Sequence, residues 1–199
     1  MCMIFSAPAQ ASDVNTVKAT IVKHALEMGV DPAIALSIAR TESGFRHEAR
    51  SSHGAVGVFQ LMPSTAKKMG LNPYSLNDNI RGGIMYYKMM YKMFGSMELA
   101  LAAYNAGPGN VKKYKAVPPY AETRRFVNKI MTDYHHYKAN PDPMMVQATK
   151  PAAPVKQVKP ANIKPPAPVV KTETVKTVKV EVVEETPIEL EVEATTLAI

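Results

Sequence analysis

Cysteine is almost absent. Cys2 is the single one in 199 residues, which excludes an internal disulfide and leaves apolar burial to hold the fold. No cluster of cysteine and histidine offers metal-ligand spacing, so neither a metal nor another cofactor is expected. No apolar run reaches the ~20 residues that a membrane-spanning helix needs. Residues 141–171 hold no aromatic residue, and residues 180–199 hold no Lys or Arg. A stretch without rings or apolar periodicity does not bury enough surface to offset the entropy of ordering it. The basic residues form no dense face and no nucleic-acid motif, so a nucleic-acid partner is not expected.

What is present divides the chain in three. Residues 1–11 end on Ala9-Gln10-Ala11, which has the small-x-small form of a signal-peptidase site. They lack a basic n-region, and the apolar run Met1–Phe5 is short. They read as an incomplete export signal or as a mobile terminus. Residues 12–138 carry 17 Lys/Arg against 9 Asp/Glu, a net +8, and residues 139–199 carry 7 against 8, a net −1. The positive charge therefore belongs to the part able to build a core, where it suits a polyanionic neighbour such as an acidic wall polymer. Pro, Lys, Ala and Val dominate 141–171, as in an extended, solvated linker, and six Glu follow Val180. The tail 139–199 is expected to be disordered and is a candidate to engage an envelope protein partner.

Apolar spacing predicts a compact all-α domain of roughly six or seven short helices, with at most one small irregular strand region. Val17, Ile21, Val22, Ala25 and Met28 form the stripe of a first helix that Gly29 ends. Asp31-Pro32 opens a second, running to Ser43. The polar stretch Arg46–Gly57 is a loop, and Val58–Met62 is a short extended run. Pro63 opens a short helix. Asn77 or Asp78 caps a longer one reaching Phe94, in which Met85, Tyr86, Met89, Met90 and Met93 are expected to pack the core. Ser96 caps a helix over 97–105. Tyr120–Tyr137 is the last, with Phe126, Ile130, Met131 and Tyr134 inward.

The second helix carries the residue with the clearest chemistry. Ala35, Ile38, Ala39 and Glu42 fall at three- and four-residue steps and share one face. A carboxyl group on an inward face loses water, and its position in the last turn sets it near the negative end of the helix dipole. Both effects favour the protonated form, which is what general acid catalysis near neutral pH requires. On the helix alone, an ordinary surface Glu at a fraying end is the better explanation.

Two further stretches change the weighing. Ser51 to Pro63 reads SSHGAVGVFQLMP, and Ala103 to Val111 reads AYNAGPGNV. With Glu42-Ser43, a Ser nine residues past the Glu, Gly-x-x-Gln-x-Met-Pro and Pro-Tyr-Ala-Glu-Thr at 119–123, five motifs stand in order. Together, over about residues 20–137, they resemble the soluble lytic transglycosylase family, whose fold is lysozyme-like. The resemblance implies cleavage of the β-1,4 bond between N-acetylmuramic acid and N-acetylglucosamine in peptidoglycan strands. It implies no water: the muramoyl C6 hydroxyl attacks its own C1 and leaves a 1,6-anhydro ring, with one Glu acting as acid and then as base. It also implies a periplasmic or envelope location.

By position in those motifs, Glu42 would be the catalytic acid. Ser51 would contact Glu42 or the sugar, or else satisfy loop backbone. Gln60 would bond the sugar, and Met62 would supply apolar contact or plain packing. Tyr104 would set its hydroxyl near Glu42 or the acetamido group, and Asn105 would bond a sugar amide. Tyr120 would line the cleft or pack, and Glu122 would anchor the cleft or form a structural ion pair. Departures from the family pattern fall at His47, expected to face solvent, and at Phe59, expected to reshape a subsite. Glu48 is the one other carboxylate near Glu42 in sequence, and a solvated ion pair suits it better than catalysis. The competing readings are a hydrolase of goose-type-lysozyme kind and a peptidoglycan-binding or assembly module without activity.

Overall fold

In a computed structural model of the chain, residues 13–149 are described. The export-signal reading of 1–11 and the tail beyond Thr149 lie outside them. Eight helices are present among the described residues: α1 Val14–Glu27, α2 Pro32–Ser43, α3 Pro63–Lys68, α4 Leu76–Phe94, α5 Met97–Ala106, α6 Pro108–Tyr114, α7 Ala121–Ala139 and α8 Pro143–Thr149. Among the described residues no helix is long and apolar enough to cross a membrane.

α2 is the central helix. Ala33 through Ala39 are all buried, so every side of it is covered. Small side chains make that possible, and the one hydroxyl in the run, Ser37, donates to the Ala33 carbonyl at 2.7 Å. α1 and α7 pack against α2, and α4, α6 and α7 surround α5. The start of α2 is as its sequence predicts: the Asp31 carboxylate accepts from the Ala33 N–H at 2.9 Å, and Pro32 follows. Its end is fixed by Gly44, in the left-handed conformation at φ +62°: the Gly44 N–H donates to the Arg40 carbonyl and the Phe45 N–H to the Ala39 carbonyl.

Four local expectations need correction. Ser75, not Asn77 or Asp78, caps α4, accepting from the Asp78 N–H. The buried line of α4 runs through Asn79, Ile80, Gly83, Ile84, Tyr87 and Met90; Tyr86 and Met89 pack against the core half-buried, as expected, while Met85 is half-buried and Met93 is exposed. Residues 58–62 form no strand; Val56 makes single antiparallel bridges to Arg50 and to Leu61. Most consequentially, the linker expected from residue 141 does not begin there. Asp142 is buried, α8 follows it, and Met144 and Met145 pack against the core. Seven residues carry too little periodicity to announce a helix, and Pro143 reads as a breaker although it suits a first helical turn.

Gly83 lets α4 position the loop over residues 56–61. A Cβ there would lie 2.3 Å from the Phe59 ring. A mid-helix glycine costs about 1 kcal/mol against alanine, and here it allows the loop to seat directly on the helix.

Candidate active site

Glu42 stands half-buried in the last turn of α2. Its carboxyl is pushed up from 4.5 to about 8, first by loss of water and then by the negative charge of Glu122. No hydrogen bond from a described residue adds to that shift. At neutral pH the group is therefore mostly protonated and free to give its proton away.

The residue beside it ties α2 to the next wall. Ser43 Oγ donates to the Val58 carbonyl at 2.8 Å and accepts from the Arg46 N–H at 3.1 Å. The loop beyond is stapled from below by Asn79, which is fully buried. Asn79 Nδ2 donates to the carbonyls of Val56 and Pro73 at 2.8 and 3.0 Å, and its Oδ1 accepts from the Phe59 N–H at 2.9 Å. Three bonds satisfy the whole amide, as a buried polar group requires. Gly57, at φ +78°, admits the staple, since a Cβ there would come within 2.4 Å of Asn79 Nδ2.

The Phe59 peptide is gripped from the other side too. Tyr104, buried in α5, donates its hydroxyl to the Phe59 carbonyl at 2.9 Å. Burial holds the Tyr104 phenol well above its usual range, and the charges of Glu42 and Tyr86 add to the effect. Glu42 and Tyr104 are thus close enough to sense one another. Because Tyr104 has given its proton to Phe59, its oxygen can only accept from a further partner. A protonated carboxyl is a donor that suits it. Tyr86 meets the Tyr104 ring edge-on, with centroids 5.2 Å apart.

Among the residues singled out from the sequence, Glu42, Tyr104 and Glu122 come together. Gln60 holds a left-handed conformation at φ +46° and spends its Nε2 on the carbonyls of Gly57 and Ala49, at 2.9 and 3.3 Å, so its Oε1 is what remains for a ligand. Asn105 Oδ1 accepts from Thr123 Oγ1 at 2.7 Å, which aims the amide and leaves its Nδ2 as a donor. Met62 is half-buried at the N-cap of α3. Ser51 Oγ accepts from the Ala55 N–H at 3.0 Å, and no hydrogen bond joins it to Glu42. Tyr120 is exposed and donates to Asn110 Oδ1 at 3.1 Å. No three His, Cys, Asp or Glu side chains among the described residues are grouped to hold a metal ion.

Three expectations need amending. The carboxylate whose charge reaches Glu42 is Glu122, 80 residues downstream of it in sequence, for which an ion pair was one expectation. Glu122 is exposed in the first turn of α7 and forms no ion pair with a described residue. Phe59 does not shape a subsite with its ring, which is fully buried against Gly83; its backbone is what the site uses. His47 is half-buried rather than solvent-facing, with Nε2 at 3.1 Å from the Tyr74 carbonyl. Sequence reasoning also missed Asn79, Tyr86 and Thr123. An Asn one turn ahead of Gly83 on an otherwise apolar face was the available signal for the first.

The packing and the shielded acid define a lysozyme-like helical domain. The profile of the Transglycosylase SLT domain matches residues 19–127, and the chain belongs to that family. Over 148 residues it is 31% identical to the soluble lytic murein transglycosylase of Escherichia coli strain K12, covering 61% of this chain and 23% of that protein. Over 130 residues it is 29% identical to the transglycosylase of Enterobacteria phage PRD1, covering 65% of this chain and 47% of that protein. The X-ray structure of an inactive glutamate-to-glutamine mutant of the lytic transglycosylase Slt from Pseudomonas aeruginosa superposes with a TM-score of 0.55 at 32% identity, over 64% of this chain and 25% of that one. The chain thus spans about a quarter of the length of the Escherichia coli and Pseudomonas relatives.

Proposed function

We propose that the chain is a peptidoglycan lytic transglycosylase acting in the cell envelope, with Glu42 as its catalytic acid and base. One observation carries the proposal: an unpartnered carboxyl held protonated to about pH 8, beside a tyrosine whose own proton is committed elsewhere. Glu42 gives its proton to the departing glycosidic oxygen as the C1–O bond of the muramoyl residue breaks. The substrate's acetamido group supports C1 while the bond is open. Glu42, now a carboxylate, takes the proton of the C6 hydroxyl, and that oxygen bonds to C1. The proton count closes without water, and the product ends in a 1,6-anhydro ring. In this reading Gln60 Oε1 and Asn105 Nδ2, the groups their own hydrogen bonds leave over, bond the sugars, and Met62, Ser51 and Tyr120 contact the glycan strand.

The charge of Glu122 felt at Glu42 favours one second reading. A carboxylate on the far side of the bond is what a hydrolase uses to activate water. Mass spectrometry of digested sacculi separates the two. Anhydromuramoyl ends support the transglycosylase, and reducing ends one water heavier support the goose-type hydrolase. Glu42→Gln is expected to lose turnover while keeping fold and sugar binding. A variant that still cleaved at the wild-type rate would exclude both.

A further inference from the structure

The family match ends at residue 127, yet the domain does not. Asp142 caps α8, accepting from the Met144 N–H at 3.0 Å, and also accepts from Lys18 Nζ of α1 at 2.8 Å. The pair is largely desolvated, with side chains 20% and 6% exposed. The same ammonium lies 5.1 Å from the centre of the Phe45 ring. Phe45 is three residues past Glu42, buried, and left-handed at φ +68°. A bulky side chain keeps that conformation only where its surroundings over-determine it. Over this ring lies the Lys18 ammonium, which Asp142 holds in turn.

We infer that Lys18 and Asp142 are positioning residues for Glu42: seated on Phe45, their ion pair clasps the end of α2 and fixes where the acid stands. Its kinetic consequence rests on the transglycosylase reading; the clasp itself rests on geometry alone. Neither residue is placed to touch substrate. Tyr137, Arg40 and Asp133 crowd the same junction, while Glu122 and Tyr104 face the acid from α7 and α5. Without the clasp, the turn after Glu42 relaxes, water reaches the carboxyl, and its distance to the scissile oxygen is no longer held.

The test uses the full chain, with carbon-13 NMR titration of the Glu42 carboxyl alongside turnover on sacculi. In Asp142→Asn and Lys18→Met, Glu42 is expected to titrate nearer the ordinary carboxyl range. Turnover should fall about tenfold or more at unchanged KM, as misplacement does. Lys18→Arg should restore both. Lys138→Met breaks a more exposed ion pair at the opposite end of α2, with Asp31, and should change neither. Wild-type titration or wild-type turnover in Asp142→Asn and Lys18→Met overturns the clasp, and so does an equal shift in Lys138→Met. Should the wild-type chain itself leave sacculi intact, the proposed function falls, and the titration alone decides for or against the clasp.

Discussion

The two ends of α2 each hold a carboxylate, and the chain treats them oppositely. Asp31 stands at the positive end of the helix, capping Ala33 and accepting from Lys138 Nζ at 2.9 Å. Glu42 stands at the negative end, short of water, with another carboxylate as its neighbour. At Asp31 the carboxylate is taken up by the Ala33 N–H and the Lys138 ammonium, and the group serves the fold. At Glu42 every surrounding feature opposes one, and the group is left with a proton to give. Glu42 is the member of the pair whose environment works against stability, which is where chemistry is to be sought.

The largest expected effect comes from removing that opposition. Glu42→Gln should lower turnover by roughly a thousandfold, in line with losing a general acid. It should also stabilise the protein. The carboxyl is harder to ionise folded than unfolded, so the folded state carries no penalty below about pH 4.5, a growing one up to about pH 8, and a constant one above that. With allowance for partial exposure, Glu42→Gln should gain about 1–3 kcal/mol at pH 7, and the gain should vanish at pH 4. Urea melts of both proteins across that range check the sign. A variant less stable than wild type at pH 7 would mean the acid is held by contacts that favour its charge.

Next in size is the staple beneath the Glu42 end. Asn79→Ala strands the buried Pro73 carbonyl and the Phe59 N–H, and leaves the Val56 carbonyl with its bond from the Leu61 N–H alone. A loss of about 2–4 kcal/mol is expected, along with activity, because Gln60 and the Tyr104 hydroxyl are both set through the Phe59 peptide. Nothing equivalent lies under Asp31. A smaller shift should follow Glu122→Gln. Removing its charge lets Glu42 ionise more easily, so the alkaline limb of the pH–rate profile should move down, by less than about one unit given the exposure of Glu122. An upward or absent shift would detach the two carboxylates.

How far the sequence could see follows the same division. The Asp31 end was legible because capping is local: Asp, Pro and the apolar steps lie within a dozen residues. The end at Ser43 and the face that Glu42 shares with Ala35, Ile38 and Ala39 were legible for the same reason. What escaped was long-range. Glu122 reaches Glu42 from 80 residues away, and no spacing rule joins them. Asn79 was missed because its three partners lie outside its own helix. Phe59 resembled a subsite residue until Gly83 showed where its ring goes. The Asp142–Lys18 pair joins the two extremes of the described chain, across a proline that locally reads as an ending.

The smallest effect is also the control on the comparison. Asp31→Asn keeps a side-chain oxygen for Ala33, so the cap survives. It removes the charge that Lys138 meets, in a pair whose side chains are 53% and 31% exposed. Exposed pairs of this kind are screened by solvent and add little to stability, so only a small loss is expected in a thermal or urea melt. Turnover should be unchanged, because the 12 residues of α2 separate this carboxylate from the acid and distant sites add independently. A tenfold loss of turnover in Asp31→Asn, with stability barely altered, would show that α2 transmits position along its length. The two ends would then have to be treated as one device.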